Sequence, residues 1–207
     1  EPDQNYLLDI PRLAKNVISE MQPNPQQQNG RLVYDYIFLC FFLGNDFLPH
    51  FPALNIRTGG IDKLLDHYRH TLGKANKYII TPPANGAPGN VNWKNLRAMI
   101  TSVSGCEKDY IRAELALRAK REKRYAHIDT TTPEQKMDKF QSIPCYERAK
   151  EKNINPDDPL WRHKYYTTLF QTEPDEERIR QICRNYLEGL EWTFGYYTDT
   201  CPDWTWS

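Results

Sequence analysis

Apolar positions along this chain recur mostly three and four residues apart, the period of helices rather than strands. Asp9 followed by Pro11 reads as a helix start, and Ile10, Leu13, Val17 and Met21 predict a helix over 9–21. A polar, turn-rich connection over 23–30 leads to the densest apolar run, in which ten of the twelve residues 32–43 are apolar or aromatic. Apolar on every side, this run predicts a helix at the centre of the core, with the first helix packed on it. At roughly 18 Å it is too short to cross a bilayer. Gly44 ends it, because glycine accepts positive φ without steric cost. Ile61, Leu64, Leu65, Tyr68 and Leu72 then mark one face of a helix over 61–72. With Pro82, Pro83 and Pro88, the stretch 78–92 reads as an irregular loop after a short extended piece. Asn92 caps a helix through Leu96, Met99 and Val103 that ends at Gly105, and a second, increasingly charged helix covers 107–125. Periodicity fails over 127–155, the pattern of a linker. Asp158 and Pro159 open a further helix through Trp161, Tyr165 and Phe170. The acids after Pro174 open a last one to about Tyr197, whose Tyr186, Leu190, Trp192 and Phe194 are expected mostly in the core.

The fold class that follows is predominantly α, and 207 residues with 39% hydrophobic and 13% aromatic content suffice for one large or two small domains. Lys plus Arg equal Asp plus Glu at 27 each, so no overall basic field announces a nucleic-acid partner and any such contact has to be local. The five cysteines are far apart and form no Cys-x-x-Cys pair. That argues against a disulfide framework and a zinc site, and for a reducing compartment. No stretch reads as a signal peptide or a membrane span, so an intracellular location without membrane contact is expected.

Candidate chemistry concentrates at the turn after the central run. Its one carboxylate, Asp46, lies among Phe47, Leu48, Pro49 and Phe51. Walled by apolar groups, it has to be paired, hydrogen-bonded or metal-bound to stay charged. The other reading is an Asx-turn or a helix cap, and the residue's type and place leave both open. For His50 and Arg57 nearby, structural hydrogen bonds are expected. Arg118, Lys120, Arg121, Lys123 and Arg124 form a basic helix end, a solvated face whose cations suit a helix C-terminus. Phosphate tracking is the alternative, provided the patch faces a substrate.

The wording of the chain goes further than its periodicity. FLCFFLGNDFLPHFPALNIRTGGIDKLL over 38–65, WRHKYY over 161–166, YLEGLEW over 186–192, GYY over 195–197 and WTW over 204–206 resemble the XRN family of 5′→3′ exoribonucleases. The resemblance implies the helical part of an α/β, PIN/FEN-like nuclease domain together with the start of the helical region that follows. Residues 1–125 would close the family's first conserved region, 126–155 form a variable linker and 156–207 open the second region. It also implies a Mg²⁺-dependent, processive enzyme acting on single-stranded RNA with a 5′-monophosphate. Asp46 matches the last acid of the family's Mg²⁺ cluster and is expected to be both catalytic residue and metal ligand. The remaining acids and the phosphate pocket are expected upstream of Glu1, which would leave this piece inactive alone. Trp204 or Trp206 is expected to stack on the terminal base, and Arg118, Lys120 and Arg121 to guide phosphates. One departure is Asp203, where relatives usually carry serine before the first tryptophan. Two alternatives stand beside this reading, an inactive RNA-binding scaffold of the same fold and a FEN-type flap nuclease, which the FLPHFPAL continuation disfavours. Cytoplasm and nucleus both remain open.

Overall fold

The densest apolar run folds as expected. In a computed structural model describing residues 7–82, 84, 89–126, 130–141 and 149–206, helix α2 spans Arg31–Cys40 and tightens into a 3₁₀ turn over Phe41–Leu43. Phe38, Leu39 and Phe42 are all but inaccessible to solvent, and the Phe38 ring meets Phe41, Phe42 and Phe194 at centroid distances of 5.7, 5.9 and 6.1 Å. Helix α1, Ile10–Met21, starts at Asp9, whose Oδ1 accepts the Arg12 N–H at 3.0 Å. Only its C-terminal half reaches the core, through Val17, Ile18 and Met21, while Ile10 and Leu13 lie exposed. Helix α3, Gly60–Tyr68, runs on as a wider π turn over Arg69–Gly73 and buries Leu64, Leu65, Tyr68 and Leu72, the face read from the sequence.

Two stretches differ from expectation. The irregular loop over 78–92 contains an antiparallel pair, β1 Ile80–Thr81 with β2 Asn90–Val91. Pro83 and Pro88 of that loop lie outside the described residues. The hairpin is held from another element, since the Asp35 carboxylate of α2 accepts the N–H groups of Ile79 and Ile80 at 2.8 and 2.7 Å. The second difference is α4, one helix of 34 residues over Trp93–Ala126 that passes straight through Gly105. Asn92 does cap it, its Oδ1 accepting the Asn95 N–H at 3.0 Å.

Buried anchors on both sides of Gly105 keep α4 continuous. Leu96, Met99 and Val103 sit in the main core, whereas Ile111 joins Ala53, Ile154 and Trp161 in a smaller one. Beyond it, Glu114 accepts from Asn55 and Thr58 and faces Lys63 at 3.6 Å, tying α4 to α3. A Cβ built on Gly105 meets nothing within 4 Å. Gly105→Ala is therefore expected to stabilise the protein by about 0.5–1 kcal/mol, a rise of about 1–4 °C in a thermal melt.

Within the expected linker, residues 127–129 and 142–148 lie outside the described residues. The described part holds helix α5, Pro133–Gln141, opened by a reciprocal Thr132–Gln135 capping box, and a 3₁₀ turn over Ala149–Asn153. Ile154 directly after that turn is fully buried, and Glu151 within it is also buried. Helix α6 covers Trp161–Leu169 and α7 covers Glu176–Thr198, the latter capped by Asp175. The expectation that the aromatics of α7 lie mostly in the core is corrected: Phe194 is buried, Tyr186 and Trp192 are half-buried, and Tyr196 and Tyr197 are exposed, while the helix also buries Gly189, Leu190 and Thr193.

The result is the predominantly helical fold expected, with one hairpin among the described residues. No helix among the described residues is long and apolar enough to cross a membrane. Cys40, Cys106, Cys183 and Cys201 are free thiols, and Cys145 lies outside the described residues.

Candidate substrate groove

Gly44 leaves the central helix at φ +92°, and a Cβ there would lie 3.1 Å from the Cβ of His50. Only glycine fits this close return of the chain on itself. The neck of the resulting loop is closed by the Phe51 N–H donating to the Phe42 carbonyl at 3.0 Å. Inside the loop, Asn45 Oδ1 accepts the N–H groups of Phe47 and Leu48, each at 2.8 Å. Asn45 thus makes the Asx-turn that the sequence left open for Asp46. Asp46 itself is exposed, and the described residues give its carboxylate no hydrogen bond or ion pair. The apolar wall inferred from Phe47 to Phe51 does not close over it, because Leu48 turns into the core while the loop tip stays in solvent.

Asp46 lies on the edge of an open groove of about 1300 Å³ between this loop and the α6–α7 face. Rings furnish much of its lining. Trp192 stacks on Tyr196 at 5.3 Å and 10°, and on Trp206 at 5.4 Å and 22°. Phe47, next to Asp46, meets the Trp192 and Tyr196 rings edge-on, each at 5.0 Å. Gly189 makes this approach feasible, since a Cβ there would sit 2.7 Å from Leu48 and 2.8 Å from Trp206. Trp192 Nε1 donates to the Asp203 carbonyl at 2.8 Å, folding the 199–206 segment back over α7. Farther along, Tyr165, Tyr166 and Phe170 form a second ring cluster with centroids 5.1–6.0 Å apart. Burial pushes the Tyr165 phenol up to about 12 and the Tyr186 phenol still higher, so both stay neutral at any physiological pH.

The residues singled out from the sequence fall into two groups. Asp46, Trp204 and Trp206 all line the groove. Trp206 is a packed ring in the Trp192 stack, whereas Trp204 is 85% exposed at the rim. Arg118, Lys120 and Arg121 are absent from the groove lining. The Arg118 side chain is only 11% exposed and its Nη2 donates to Glu151 at 3.2 Å, so it is no solvated face. Lys120 is exposed and Arg121 half-buried; the side chain of Arg124 lies outside the described residues. His50 makes the expected structural bond, with Nε2 donating to Glu151 at 2.5 Å. Ring spacing along a helix cannot separate a core stripe from a groove wall, so the sequence does not mark Trp192 and Tyr196 as a site, and it offers Phe47 only as part of the wall around Asp46.

As a hard oxygen donor without a competing cation, Asp46 suits one ligand position for Mg²⁺. No cluster of three or more His, Cys, Asp or Glu side chains able to hold a metal occurs among the described residues. The fit is thus that of one ligand in a larger set.

Together these features define a helical domain with an aromatic groove that carries the exposed Asp46 carboxylate on its edge. The family model described as the Xrn1 helical domain matches residues 26–158 and 145–207, and the chain belongs to that XRN family. It is 24% identical over 216 residues to a 5′-3′ exoribonuclease 2 homolog of Drosophila melanogaster, covering 85% of this chain and 23% of that protein. Against 5′-3′ exoribonuclease 2 of Gallus gallus it is 24% identical over 238 residues, 85% of this chain and 24% of that protein. A Caenorhabditis briggsae homolog is 44% identical over 81 residues, 37% of this chain and 8% of that protein. The chain therefore spans about a quarter of the length of the first two relatives.

Proposed function

We propose that this chain is the helical part of a Mg²⁺-dependent, processive 5′→3′ exoribonuclease that acts on single-stranded RNA bearing a 5′-monophosphate. The observation that carries the reading is the exposed Asp46 carboxylate, without a partner among the described residues, on a loop beside the Trp206–Trp192–Tyr196 ring stack. The names of the relatives, all exoribonucleases, support it. Asp46 holds one coordination position, and the other acids come from elsewhere in a longer protein. Bound Mg²⁺ would supply Lewis acidity toward the phosphodiester and a more acidic water. The residues of this chain bind and orient. Neutral rings take up a base by stacking without reading its identity, which suits an enzyme that accepts each nucleotide in turn. The enzyme works inside the cell, in cytoplasm or nucleus.

The test is degradation by the longer protein of 5′-monophosphate and 5′-hydroxyl RNA, with and without Mg²⁺. Loss of the monophosphate RNA alone, and only with metal, is the expected result. Binding of both RNAs with degradation of neither would favour an inactive scaffold.

The two groove tryptophans separate by their surroundings. Trp204→Ala is expected to weaken RNA binding about 5- to 150-fold, the equivalent of about 1–3 kcal/mol of stacking, with an unchanged melting temperature. Trp206→Ala is expected to lower the melting temperature, since Trp206 packs on Trp192 and over Gly189. Titration of fluorescent RNA alongside thermal melts of both variants checks the pair.

A further inference from the structure

The Asp46 loop ends in a charged cluster that the ring stack does not include. At the C-terminal side of the neck, His50 Nε2 donates to Glu151 Oε1 at 2.5 Å. The other oxygen, Oε2, accepts from Arg118 Nη2 at 3.2 Å. The Glu151 and Arg118 side chains are each only 11% exposed, so this carboxylate is nearly out of water and depends on its donors. Three chain segments meet on it: the loop, the Ala149–Asn153 turn and α4. His50 also lies directly against Gly44, with 3.1 Å to the position of a Cβ there, where the chain enters the loop. A shift of His50 therefore moves both strands of the neck, and with them Asp46 at the tip.

We propose that His50, Glu151 and Arg118 form a positioning cluster that fixes the direction of the Asp46 carboxylate, with the end of the aperiodic 127–155 stretch serving as a clamp on the site. The inference rests on the reading of Asp46 as a metal ligand. His50 and Glu151 are positioning residues in it, acting on a ligand through the backbone that carries it. Outer contacts of this kind change metal affinity or turnover by about 10- to 100-fold when lost.

The test compares wild type, His50→Ala and His50→Gln in the longer protein. Gln retains an N–H that can reach Glu151. Three quantities are measured: Mn²⁺ binding by electron paramagnetic resonance, hydrogen exchange of the Phe47 and Leu48 amides, and kcat and KM on 5′-monophosphate RNA. In His50→Ala the expected results are about 10-fold weaker Mn²⁺ binding, faster exchange in the loop, and a kcat about 10- to 100-fold lower with KM within about twofold. His50→Gln should recover most of each. A His50→Ala protein that melts earlier but keeps its Mn²⁺ affinity, loop exchange and kcat overturns the proposal, leaving a merely structural contact. If the wild type degrades no RNA while the Mn²⁺ and exchange effects appear, the cluster stands and the exoribonuclease reading falls. Should His50→Ala not fold, His50→Asn replaces it, being polar but too short to reach Glu151.

Discussion

In the longer protein, Asp46→Asn is expected to lower the turnover of 5′-monophosphate RNA by at least about 10²-fold while leaving the melting temperature unchanged. The two halves of this expectation have separate grounds. Asp46 is exposed and the described residues give its carboxylate no partner, so folding loses nothing when the charge is removed. The Asx-turn that shapes the loop belongs to Asn45 and stays intact. An amide keeps an oxygen but not the negative charge that holds a hard cation. A metal ion contributes several kcal/mol to a phosphoryl transition state, and each 1.36 kcal/mol is a factor of ten in rate. Single-turnover rates and thermal melts of the two proteins provide the check. Retained turnover would remove Asp46 from the site, and a lowered melting temperature would mean that it holds the fold.

The largest expected loss of stability comes from Asp35, in the middle of α2. Its carboxylate is wholly buried and accepts from Tyr68 Oη at 2.6 Å and from the N–H groups of Ile79 and Ile80 at 2.8 and 2.7 Å. Asp35→Leu strands the Ile79 and Ile80 N–H groups and leaves Tyr68 Oη only the Lys77 carbonyl at 3.4 Å; at about 1–3 kcal/mol per stranded donor, a loss of about 3 kcal/mol is expected. For a chain of this size that is about 10 °C in the melting temperature.

The same residue makes stability depend on pH. Burial raises the Asp35 carboxyl from its ordinary 3.8 to about 6, against the opposing pull of its hydrogen bonds. Between those values the folded protein holds a proton that the unfolded chain has released. The stabilisation linked to that proton is complete below about pH 4 and is lost as pH rises through about 6, about 3 kcal/mol in all. Urea unfolding of wild type and Asp35→Asn across this range should show the difference, with stability falling toward pH 7 more steeply in the wild type. Parallel profiles would contradict the assignment.

What was legible in the sequence is what local chemistry decides. Asp9 and Asn92 each cap the helix they precede, because a cap needs only the three residues that follow it. The buried face of α3 was equally plain from spacing. The hairpin was not, since its strand is held by Asp35 from a distant helix, and a lone acid in an apolar run gives no hint of what it binds. Gly105 was misread as a stop because glycine marks helix ends and also persists inside helices anchored on both sides. Asp46 stood out by its resemblance to a family motif, yet its exposure and the transfer of the Asx-turn to Asn45 depend on the path of the loop. The basic run failed at Arg118 because its partner, Glu151, lies in the stretch with no periodicity.

Whether Asp46 sits on the metal of a nuclease site is tested by mapping the metal itself, without relying on turnover. Fe²⁺ takes the place of Mg²⁺ in the longer protein, and ascorbate with peroxide generates hydroxyl radicals at the bound ion that cut nearby backbone. Cleavage at Asn45, Asp46 and Phe47 that disappears in Asp46→Asn is the expected result. Cleavage elsewhere, with residues 44–50 untouched, would contradict the claim and return Asp46 to the status of an exposed loop residue.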